Sequence, residues 1–89
     1  MEYSLLKVDA ENAVVSAVVP NEDGSILVRV YETAGKDGQA VITFKQEVAN
    51  AEAVNLAGEV LEGKVQIKGE QVILSVEAYS IAAVKVNLQ

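Results

Sequence analysis

The chain has 89 residues, 51% of them apolar and 22% charged, with a formal net charge of −6. That length leaves room for one domain, and that composition is globular, not disordered. With no His, Cys or Trp, it lacks the usual equipment for metal sites, imidazole acid–base catalysis and large stacking platforms; its seven basic residues, spread singly, build no nucleic-acid or membrane-surface face.

Period-two hydrophobic patterning and turn residues divide the chain into short strands. Residues 4–8 read as a first strand, followed by a polar link at 9–12. Residues 13–19 form an apolar, β-branched second strand with side chains apolar on both faces: Val14, Ser16 and Val18 on one, Val15, Ala17 and Val19 on the other. Pro20-Asn21-Glu22-Asp23-Gly24-Ser25 is a turn by residue type. The third strand, residues 26–33, sets Ile, Val and Val on one side and Leu27, Arg29 and Tyr31 on the other. Residues 34–38 make a second turn, read as a hairpin loop, and residues 39–45 a fourth strand.

Residues 46–53 are Ala- and Glu-rich and suit a helical turn in isolation; a strand around residues 53–56 fits the context better. A loop at residues 58–63 precedes a cleanly alternating strand, residues 64–68. Gly69-Glu70 is a two-residue loop with Gly first, as a type II′ turn requires. Residues 71–77 pair back, residues 78–80 turn a corner, and residues 81–88 form the last strand. Seven or eight short strands with frequent turns predict an all-β fold, a single antiparallel β-sandwich spanning residues 1–89. Strands that are apolar on both faces point to loop cover or to an outer face that docks onto other protein.

No apolar run approaches the roughly 20 residues of a membrane helix. The first seven residues are not expected to form a signal peptide. Absence of Cys suits a reducing compartment, and the expectation is a cytoplasmic protein.

Three blocks carry a family resemblance: Asn12-Ala13-Val14-Val15-Ser16-Ala17-Val18, Asn21-Glu22-Asp23-Gly24, and Ile26-Leu27-Val28-Arg29-Val30-Tyr31-Glu32. Together they resemble the C-terminal β-sandwich of α-mannosidases in glycoside hydrolase family 38, whose pattern runs through an acidic hairpin into an apolar strand closing on R-x-Y-E. The ending, Ala78-Tyr79-Ser80-Ile81 through Val86, is similar to that family's closing corner and final strand. The chain departs where the family often has a basic residue, at Val18 or Val19, and where its corner has Pro-aromatic, at Ala78-Tyr79. The resemblance implies a parent that is a zinc-dependent retaining α-mannosidase, its His and Asp ligands and Asp nucleophile all in an upstream catalytic domain. Met1 is accordingly expected to open one piece of a longer enzyme. This chain would then hold no catalytic residue and no cofactor; its partners would be the upstream domains, or further copies in an oligomer, with mannosides met only through the parent.

Each chemical constellation has a plainer reading beside it. Glu22 with Asp23, and Glu59 with Glu62, are carboxylate pairs of the kind glycosidases use, but acidic turn residues also serve local hydrogen bonding. Residues 21–25 offer too few oxygens for calcium. Gly35-Lys36-Asp37-Gly38 matches a GxxG clamp only in spelling, since that clamp joins helices. Tyr3, Tyr31, Tyr79 and Phe44 could line a sugar site, or be core-edge and corner residues; Tyr79 reads as a corner tyrosine whose hydroxyl bonds to backbone. Arg29, Tyr31 and Glu32 are the candidate interdomain contact, because Arg forks onto carboxylates and Arg and Tyr are enriched at interfaces. The alternative to the accessory domain is a free-standing carbohydrate-binding or adhesive sandwich.

Overall fold

A computed structural model describes residues 6–10, 12–55 and 57–89. They form β1 (Leu6–Asp9), β2 (Ala13–Pro20), β3 (Ile26–Glu32), β4 (Gly38–Phe44), β5 (Val48–Val54), β6 (Val65–Lys68), β7 (Gln71–Val76) and β8 (Ile81–Leu88). Two four-stranded antiparallel sheets result, ordered β1-β4-β7-β6 and β2-β3-β8-β5. The all-β sandwich expected from the patterning is the observed fold. Ser4 and Leu5 of the first expected strand, and Leu56 of the expected strand at 53–56, lie outside the described residues.

Alternation explains the core. On β3, Ile26, Val28 and Val30 turn inward; on β4, Ala40, Ile42 and Phe44; on β7, Val72, Leu74 and Val76; and all are buried. Val84 and Val86 of β8 complete the inner layer with Leu6, Val8, Val48, Ala51 and Ala53. Each large aliphatic chain taken wholly from water contributes about 1.5–3 kcal/mol.

Two bulges correct the strict alternation. In β2 the register against β3 shifts between Val15 and Ala17. Ser16 is the extra residue, so Val15 and Val18 both pack on the core while Val14, Ala17 and Val19 share the outer side. In β5 the shift falls between Val48 and Asn50. The buried residues Val48 and Ala51 therefore stand three apart, a helix-like spacing inside a strand. The strand consequently begins well before residue 53.

Residues 33–37 are not a hairpin loop. β3 belongs to one sheet and β4 to the other, so this segment crosses the sandwich. Gly69-Glu70 does close a hairpin, with Lys68 opposite Gln71 and Gly69 at φ +61°.

Candidate functional site

Arg29, Tyr31 and Glu32 are neighbours in sequence but part company in space. Glu32 continues the inward series Ile26, Val28, Val30 and is fully buried at the end of β3. Its carboxylate becomes the hub of the crossover. Oε1 accepts the N–H groups of Gly35 at 2.7 Å, Tyr79 at 2.8 Å and Lys36 at 3.3 Å. Oε2 accepts Ala34 N–H and Asn12 Nδ2, both at 2.8 Å. Asn12 also donates to the Lys36 carbonyl at 2.9 Å, and its own carbonyl accepts Thr33 N–H at 2.8 Å.

Backbone shape adapts to this clamp. Gly35 has φ +79°, and a Cβ there would meet the Tyr79 ring at 2.7 Å. Tyr79 itself has φ +53°, unusual for a side chain of that size. The strain is held by its N–H bond to Glu32 and by Asp37, whose Oδ1 accepts the adjoining Ala78 N–H at 2.9 Å. The corner expectation for Tyr79 therefore needs correcting. Among the described residues its hydroxyl bonds no backbone group; the backbone N–H makes the link while the ring of this residue, 65% exposed as a whole, lies across Gly35.

Burial pushes the Glu32 carboxyl up, but the converging donors outweigh it and hold its pKa at about 2, below the ordinary 4.5. Five donors on two oxygens leave it no proton to give and no open lone pair aimed at a ligand. Glu32 is spent on the fold.

Of the other acidic candidates, Asp23 and Glu59 are engaged locally, and Glu22 and Glu62 stand exposed. Asp23 Oδ1 accepts the Ser25 hydroxyl at 2.6 Å and its N–H at 3.0 Å, which, with a weaker contribution from Lys85, lowers its pKa from 3.8 to about 2. Its other oxygen lies 3.5 Å from Lys85 Nζ. Glu59 accepts from Asn55 Nδ2 at 3.3 Å on an exposed loop. Among the described residues no three His, Cys, Asp or Glu side chains converge. The residues 35–38 that spell GxxG are part of the Glu32 clamp. Of the aromatics, Phe44 is in the core, Tyr31 and Tyr79 are exposed, and Tyr3 lies outside the described residues.

Arg29 and Tyr31 point the other way, onto the outer side of β2-β3-β8-β5. Cross-strand partners share a face, so the register gives three rungs that include β3, with the polar pair Asn50 and Asn87 beyond them. The first is Val14, Tyr31 and Ile81. The second is Ala17, Arg29, Ala83 and Val54, and the third is Val19, Leu27, Lys85 and Glu52. Val14 is 44% exposed, Val19 41%, Tyr31 39% and Ile81 48%. A recess of about 340 Å³ opens on this face, lined by Arg29 and Lys85 with Leu27, Val54, Ala83 and Asn55 among others.

Reading residue by residue misses two parts of this arrangement. Asn12 gives no pattern of its own. The burial of Glu32 was written in the alternation, since it follows Ile26, Val28 and Val30 at spacing two.

No curated protein matches the chain. A family profile described as "Glycosyl hydrolases family 38 C-terminal beta sandwich domain" matches residues 12–88. That span runs from the Asn12 that feeds the Glu32 clamp to the last residue of β8, and so takes in both the crossover and the outer face. The chain belongs to the C-terminal β-sandwich domain family of glycoside hydrolase family 38.

Proposed function

We propose that this chain is the supporting C-terminal domain of an α-mannosidase, buried against upstream domains through the outer face of β2-β3-β8-β5. Membership of a C-terminal accessory family supplies the context of a glycoside hydrolase. The observation that carries the docking role is the cluster of Val14, Val19, Tyr31 and Ile81 left open on one sheet. Contiguous exposed apolar residues mark interaction surfaces. Covering each of these half-open side chains contributes roughly 1 kcal/mol toward holding the domain in place.

The chemistry belongs elsewhere in such an enzyme. The zinc that the resemblance implies would be held by His and Asp of an upstream domain, and this chain supplies no His. No catalytic step is assigned to these residues. Their part is to fix the position of the domain that performs it.

The test is direct. Pure 89-residue protein, incubated with an aryl α-mannoside and zinc, is expected to release no phenol. Deleting the domain from the parent enzyme is expected to cut the yield of folded, active enzyme. Turnover by the 89 residues alone would overturn the reading, as would a parent that is equally stable and active without them.

A further inference from the structure

We infer that Arg29 is the ionic anchor of the docking face, and that the recess beside it receives an aspartate or glutamate side chain from an upstream domain of the same polypeptide. This rests on the docking role proposed above and names what meets it.

Arg29 is the sole arginine of a chain with thirteen acidic residues. Yet among the described residues its guanidinium has no carboxylate partner: the ion pairs there are Lys64 with Glu77 and Lys85 with Asp23. The nearby acid on the same face, Glu52, stands opposite Lys85 and accepts from Asn50 at 3.2 Å. Arg29 occupies the middle rung, between Leu27 and Tyr31 along its strand. Its cross-strand neighbours are Ala17 and Ala83, both too small to cover it. Small residues around a central cation leave a socket, and the recess occupies that place.

An apolar surface closing over this face without an anion would strand a desolvated charge. The covering surface must therefore bring a carboxylate, which matches the planar fork of guanidinium in a bidentate pair. A neutral sugar supplies no such charge. A second copy of this chain fits poorly, because a two-fold contact centred on the face sets Arg29 against its own copy.

The experiment uses the longer polypeptide that carries this domain and follows protease cleavage between the domain and its upstream neighbour. Arg29→Glu is expected to speed release about tenfold or more, and Arg29→Lys by a smaller factor, because a lysine keeps charge but loses the fork. One Asp or Glu to Lys exchange in the upstream region is expected to restore protection to Arg29→Glu. The 89-residue chain alone is expected to melt within about 2 °C of its parent sequence when it carries Arg29→Glu. If Arg29→Glu leaves cleavage unchanged while Val14→Asp and Ile81→Asp accelerate it, the face docks without an acid and this inference falls alone. If none of the three accelerates cleavage, the docking role falls with it. A large loss of melting temperature in the short chain would give Arg29 an internal task and overturn the anchor. So would a dimer, seen by sedimentation, that Arg29→Glu dissociates.

Discussion

On the outer side of β1-β4-β7-β6 the side chains are mostly polar: Lys7, Asp9, Gln39, Thr43, Gln66, Lys68, Gln71 and Ser75, with Val41 and Ile73 among them. On the outer side of β2-β3-β8-β5 they are Val14, Ala17, Val19, Leu27, Tyr31, Val54, Ile81 and Ala83, interrupted by Arg29, Lys85 and Glu52 and bordered by Asn50 and Asn87. Both sheets give the same kind of aliphatic residues to the core between them. The fold therefore makes no demand for the second apolar surface. A sheet needs one greasy side to pack; a second one asks for something outside the domain.

Substitutions in the shared core ignore this asymmetry and set the scale. Leu74→Ala removes a fully buried side chain and is expected to cost about 2–5 kcal/mol in urea unfolding, whether or not upstream domains are attached. Glu32→Gln comes next. The amide turns an N–H₂ group toward backbone donors, so the melting temperature is expected to fall by about 10 °C or more.

The same carboxylate gives a pH signature. Glu32 is held at about 2 in the folded chain against 4.5 ordinarily, so the unfolded chain binds its proton first as pH falls. Its contribution is complete above about 4.5 and drains away as acid is added toward 2. The Glu32→Gln chain is expected to show a flatter stability profile over that window, measured by denaturant midpoints at successive pH values. An unaltered slope would remove Glu32 from the account.

Smaller effects sharpen the contrast between the two outer faces. Ile81→Ser is expected to change the stability of the short chain by under about 0.5 kcal/mol, yet to loosen the domain in the full polypeptide. The matched change on the polar side, Ile73→Ser, is expected to produce no such difference between contexts. Equal responses at both positions would erase the distinction drawn here. Least of all, Lys64→Ala breaks an exposed 3.2 Å pair with Glu77 and is expected to cost under about 1 kcal/mol by thermal melting.

Much of this was legible from residue order. The alternation of Ile26, Val28 and Val30 against Leu27, Arg29 and Tyr31 defines two faces from residue order alone. Turn chemistry at Gly24 and Gly69 places two hairpins correctly, because positive φ at a glycine is a local property. The bulges at Ser16 and Ala49 were not legible, since an extra residue in a strand is decided by the partner it pairs with. The segment at 34–38 reads as a hairpin for the same reason. It is a crossover because β3 pairs with β2 and β8 while β4 pairs with β1 and β7, choices made by distant strands.

The bulge in β2 has one more consequence. β2 is the border strand of its sheet, with no further strand beyond it among the described residues. A long regular border offers a ladder of free amides and carbonyls onto which a stray chain can zip. Ser16 interrupts that ladder midway, and Pro20 removes a donor at its end. A domain with an open apolar face is thereby guarded against fibrous self-assembly along its rim.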